Sequence, residues 1–195
     1  MKNSKGLVAK DLINIGIFTA LYFISFFCTG MLGFIPIFMI LIPLICPIVA
    51  GIPMMLYVTK VKKFGMILIL GILVGTLMTI TGHGWYPIVS ATVCGLVYEL
   101  ILKAGNYQST KCAVWGYAVF SFWLIGPMMP LYITAESYAQ YLAQSFGQEY
   151  ANSLMGYIEK FPMPLALVIC FVGGIIGALI GRATLKKHFI KAGIA

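Results

Sequence analysis

Charge is scarce in this sequence. Only 9% of its 195 residues are charged, and just five of those are acidic. Soluble domains carry roughly 25% charged residues, so a water-facing globule is excluded. Histidine is rarer still, with only His83 and His188. They fall at opposite ends of the pattern developed below, which leaves no ligand set for a metal. The five cysteines (Cys28, Cys46, Cys94, Cys112 and Cys170) stand singly in apolar sequence with no C-x-x-C pair. Their odd number and wide spacing argue against a disulfide framework and a zinc site alike, and they read as small apolar helix residues. No G-x-S-x-G, H-E-x-x-H or G-x-x-x-x-G-K-[ST] occurs, which removes the common signatures of hydrolases, zinc proteases and nucleotide hydrolases. The chain is therefore expected to be no enzyme and to hold no cofactor. Any ATP it draws on must be hydrolysed by another polypeptide.

What the sequence has is apolar length. It is 61% hydrophobic, with a mean hydropathy of +0.99. A helix needs about 20 apolar residues to cross a bilayer. Residues 12–58 carry no charge at all, enough for two spans, with a break at 28–36, "CTGMLGFIP", where glycines and a proline interrupt the helical pattern. Residues 64–102 hold a single charge, Glu99, and break at 81–87, "TGHGWYP". Two further spans follow. The expected segments are 11–29, 37–58, 64–81, 85–103, 112–133 and 162–182. The basic start followed by an apolar run reads as a retained first span rather than a cleaved leader. The expectation is one integral membrane domain over 1–195, an all-α bundle of six transmembrane helices.

The basic residues test that count independently. Lys2, Lys5 and Lys10 precede the first span, Lys60, Lys62 and Lys63 separate the second from the third, and Lys103 and Lys111 the fourth from the fifth. Arg182, Lys186, Lys187 and Lys191 follow the sixth, leaving only Lys160 for the opposite face. The net charge of +8 thus answers to lipid and not to nucleic acid, since no polar domain gathers it. Lysine-rich loops stay cytoplasmic, which puts both termini inside a bacterial cell membrane crossed several times. The 28–36 and 81–87 breaks then face outward, together with the long segment 134–161.

That outer side carries the candidate site. In 134–161, Tyr138, Tyr141, Leu142 and Phe146 recur at helical spacing, as do Tyr150, Leu154, Tyr157, Ile158 and Phe161. Two short amphipathic helices hinged near Gly147 are expected, a cap over about 136–160. It serves either as a lid or as a helix lying in the headgroups. Within 81–87, Gly82 and Gly84 permit a sharp turn, His83 offers a hydrogen-bonding ring, and Trp85 and Tyr86 offer flat faces for stacking. Trp123, Tyr132 and Glu136 fall at the outer end of the fifth span and could approach the same volume. An aromatic belt at the membrane interface accounts for the same residues.

No span carries a central lysine, arginine or carboxylate pair, the relay groups that proton-coupled pumps use. Glu99 lies four residues before Lys103, a spacing that suits a helix-surface ion pair. Small residues form two stripes that permit close helix contact. Gly173, Gly177 and Gly181 in the last span suit packing within the bundle. Gly16 and Ala20 in the first suit either packing or an outer surface awaiting a partner helix. Pro36, Pro43, Pro47 and Pro53 make the second span irregular, so its freed carbonyls need partners inside the protein.

The basic start running into "KDLINIGIFTALYF", the six spans and the closing "GALIGRATLKKHFIKAGIA" resemble the substrate-binding S component of an energy-coupling factor (ECF) ABC transporter, of the Trep_Strep type. The resemblance covers essentially the whole chain, its middle only in hydropathy. It implies a six-helix fold that captures a vitamin or related small micronutrient near the outer face. It further implies a transmembrane coupling subunit docking on a small-residue stripe of the first helix and two cytoplasmic ATPase subunits. Here Gly16 and Ala20 stand where that family carries a pair of alanines. A self-sufficient carrier or channel, and an intramembrane enzyme or assembly factor, are the competing readings. Uptake into vesicles by the chain alone would favour the first, and turnover of a lipid the second.

Overall fold

A computed structural model describes residues 6–186. Lys2, Lys5, Lys187, His188 and Lys191 lie outside the described residues. Among those described, every regular element is helical. Six helical stretches are long and apolar enough to cross a membrane: Ala9–Phe34, Pro36–Val58, Met66–His83, Tyr86–Ala104, Thr110–Ile133 and Met163–Thr184. Each begins within two residues of its expected start. The α-helices are α1 (Ala9–Gly30), α2 (Pro36–Val58), α3 (Met66–Met78), α4 (Tyr86–Ala104), α5 (Thr110–Phe120), α6 (Ile125–Ile133), α7 (Ala135–Phe146), α8 (Gln148–Ile158) and α9 (Met163–Thr184). A 3-10 turn, Ser121–Leu124, joins α5 to α6 within the fifth span.

Glycine determines how the helices pair. A Cβ on Gly173 would lie 2.6 Å from Leu44 O, and one on Gly51 or Gly177 would run into the backbone of the facing helix. α2 and α9 therefore cross backbone to backbone, and the last-span stripe is spent inside the bundle. Gly71 does the same between α3 and α4, where a Cβ would lie 2.6 Å from Ala91 O. The first-helix stripe behaves otherwise. Gly16 and Ala20 are exposed, and nothing lies within 4 Å of a Cβ built on Gly16.

Several polar groups inside the bundle find partners across it. Tyr57 Oη donates to Met66 O at 2.8 Å and Tyr98 Oη to Ala113 O at 3.1 Å. Glu99 departs from the expected ion pair. Its carboxylate is buried, and Oε2 accepts from Ile67 N at 2.7 Å and Leu68 N at 3.1 Å. It thus caps the N-terminus of α3, where the first amides have no partner in their own helix. Oε1 accepts from Tyr107 Oη at 3.1 Å. Burial, then the neighbouring carboxylate, pushes the Tyr107 hydroxyl above its usual range, so it remains a donor. Asn106 and Tyr107 hold left-handed backbones, φ 49° and 56°, an uncommon conformation for residues with a side chain that turns Tyr107 back onto Glu99. Lys103 instead sits 5.2 Å above the Phe64 ring.

α7 and α8 form the expected pair, hinged at Gly147 with φ 93°. Leu142, Ala151, Leu154 and Ile158 pack with Met128 and Leu131 of α6 into a small core of their own. The pair lies at the end of the bundle that carries the α1–α2 connection, because Tyr150 Oη donates to Gly33 O at 2.6 Å. The described cations Lys10, Lys60, Lys62, Lys63, Lys103, Lys111, Arg182 and Lys186 gather at the other end.

Candidate functional site

The 81–87 turn is built by its glycines. Residues Thr79–His83 close α3 in a widened π turn, and Gly82 (φ 95°) and Gly84 (φ 68°) reverse the chain into α4. Both angles lie where a Cβ is disfavoured. Thr81 Oγ1 donates to Met78 O at 2.8 Å and lies 3.2 Å from His83 Nδ1, which fixes the half-buried ring. Trp85 stacks on Tyr86 with centroids 4.5 Å apart and planes 26° from parallel. The indole is 61% exposed, so the turn presents an open aromatic ledge with an imidazole beside it.

The other sequence-selected residues are placed differently. The backbone of Trp123 meets α4, where Ser90 Oγ donates to Trp123 O at 2.9 Å. Its indole, however, is fully buried and packs on Tyr22, Phe26 and Phe120. Tyr132 Oη donates to Phe161 O at 3.2 Å, tying α6 to the start of α9. Glu136 is exposed in the first turn of α7. His83, Trp85 and Tyr86 are thus brought together, while the Trp123 indole is not brought to the same volume.

Trp123 leads to a group that sequence reasoning passed over. Its Nε1 donates to Tyr22 Oη at 2.9 Å, and Tyr117 Oη donates to Pro47 O at 2.8 Å. One mid-span hydroxyl thus accepts and the other donates, beside the Trp123 indole. Phe26 and Phe120 flank it, the former with its centroid 4.9 Å from the Trp123 ring. Cys46 and Cys170 donate to Phe26 O and Ser121 O. Thr19, on the same helix as Tyr22, has a buried hydroxyl without a partner. The available signal was a tyrosine in mid-span, at positions 22 and 117, since a phenol at that depth must find a partner in protein.

This centre gathers donors and acceptors from α1, α2 and α5, walled by aromatic rings. Such groups hold the three helices together through hydrogen bonds in apolar surroundings. They include no nucleophile–base pair, and no group of three metal-ligating side chains occurs among the described residues.

Residues 9–191 match a family described as hypothetical bacterial integral membrane protein (Trep_Strep). The chain belongs to the Trep_Strep family. Six apolar helices agree with that description of a membrane protein crossing the bilayer several times. No curated protein and no solved structure matches the chain.

Proposed function

We propose that this Trep_Strep protein is the substrate-binding S component of an ECF-type ABC importer for a vitamin or related small micronutrient. A separate coupling subunit and two ATPase subunits energise it. The observation that carries this reading is the first-helix stripe. Gly16 and Ala20 lie on the outside of the bundle with open space before them, whereas the glycines of α2, α3 and α9 are used up in internal crossings. A small-residue surface left open within lipid suits a partner helix. It is where the family resemblance puts the coupling subunit. The lysine-poor end, carrying the ledge and the α7–α8 cap, faces outward in this reading, and both termini are cytoplasmic.

Cargo is captured from the ledge side. Trp85 and Tyr86 stack on a flat heterocycle, His83 hydrogen-bonds its edge, and Tyr132 and Glu136 line the approach. Trp123, Tyr22 and Tyr117 form the deeper wall. The test is uptake by cells co-expressing the coupling module, measured beside native mass spectrometry of the purified chain for a co-purifying small molecule. Gly16→Leu with Ala20→Leu is expected to abolish uptake while leaving the bound molecule in place. Equal loss of both would reduce the stripe to bundle packing, and uptake into vesicles by the chain alone would make it a self-sufficient carrier.

A further inference from the structure

The lysine-rich end contains a cleft that the transport reading does not use. It has a volume of about 460 Å³ and is lined by Lys10, Asp11 and Asn14 of α1 with Thr59, Lys60, Lys62 and Lys63 of the α2–α3 connection. Its back wall is fastened. Asp11 Oδ2 accepts from Val8 N at 3.0 Å and pairs with Lys63 Nζ at 2.8 Å, and the same ammonium donates to Gly6 O at 3.0 Å. The one carboxylate of the lining is therefore committed to holding the walls together. It stands against four ammonium groups, of which Lys10 and Lys62 are exposed.

What such a cleft takes is set by what continues from it. Lys10 and Asn14 begin a stripe on α1 that runs on, at three- and four-residue steps, through Ile17, Leu21 and Ile24. Residues so spaced share one helix face. These three side chains are 52%, 44% and 58% exposed. One face thus passes from a cationic, hydrogen-bonding head into an apolar ridge along the membrane-spanning helix. We infer that the cleft binds the phosphate of an anionic phospholipid, with an acyl chain lying along Ile17, Leu21 and Ile24. Basic pockets at the ends of membrane helices bind phosphate headgroups, and each lysine near an anionic lipid surface contributes about a factor of five in affinity. A free phosphate would satisfy the lysines and leave the ridge unused.

The test is a titration of the purified full chain in detergent, read by native mass spectrometry. It needs no coupling subunit and so stands apart from the transport proposal. Wild-type protein is expected to retain one phosphatidylglycerol and to release phosphatidylcholine. Lys10→Gln with Lys62→Gln should weaken phosphatidylglycerol binding about twentyfold to thirtyfold. Lys111→Gln with Lys186→Gln, at the same end but outside the cleft, should leave it unchanged. Circular dichroism confirms that each variant keeps its helices. Undiminished retention by the cleft variant, or an equal loss in the control pair, would overturn the site. Displacement of the lipid by inorganic phosphate at equal concentration would assign the cleft to a soluble anion and overturn the lipid assignment.

Discussion

Two side chains of the same type, Trp85 and Trp123, have opposite environments, and their substitutions should separate accordingly. Trp85 stacks on Tyr86 with most of its surface open. Trp85→Ala is expected to change thermal stability by less than about 0.5 kcal/mol and to weaken cargo binding, as read by calorimetry once a ligand is identified. Trp123→Ala empties a fully buried site and strips Tyr22 of its donor, so it should cost about 3–5 kcal/mol and lower the melting temperature in detergent with no ligand present. Glu99 makes a third case. Glu99→Ala leaves two α3 amides without their acceptor and is expected to destabilise by about 2–4 kcal/mol. Lys103 lies over Phe64 and is not paired with Glu99, so Lys103→Gln should cost well under 1 kcal/mol. Spacing along one helix could not show that the amides Glu99 serves belong to its neighbour, because that contact joins residues 31 and 32 positions apart.

At the level of helices, the spans were legible because a bilayer permits so few solutions. Uncharged runs, broken by glycine and proline at 28–36 and 81–87, locate the ends of α1–α4 to within a few residues, and Gly147 marks the α7–α8 hinge. Two features were not legible. The 3-10 turn at Ser121–Leu124 departs from the 3.6-residue period, so α-helical spacing misjudges where the Trp123 ring points. Nor does a stripe of small residues reveal whether a neighbour fills it. Here Gly177 and Gly16 answer differently, and alanine at each position reads the difference. Gly177→Ala forces a Cβ against Pro47 and is expected to destabilise by about 1–3 kcal/mol. Gly16→Ala meets open space and should be neutral within about 0.5 kcal/mol. Unfolding of both variants in the same detergent decides the comparison.

For the molecule as a whole, the sorting of cations is what argues for the proposed orientation. In the proposed arrangement, cysteine placed at Lys62 in a Cys28→Ser background reacts with a membrane-impermeant maleimide only after the cells are opened. Cysteine at Lys160 reacts in intact cells. The reverse pattern would invert the proposed orientation and place the 81–87 ledge in the cytoplasm. The cap makes a further prediction at this scale. Burial holds the Tyr150 hydroxyl above the usual phenol range, so it stays protonated and keeps donating to Gly33. Tyr150→Phe is expected to raise hydrogen exchange in both Gln148–Ile158 and Met31–Phe34 with the rest of the spans unchanged.

One phenolic proton therefore bridges positions 33 and 150, far apart in the chain and adjacent at the mouth. With Phe34 and Phe146 in ring contact beside it, their centroids 5.9 Å apart, the first loop and the cap behave as two leaves of a single door. Opening of this end is then expected to be one cooperative event with one rate, and a variant that frees either leaf should loosen both together.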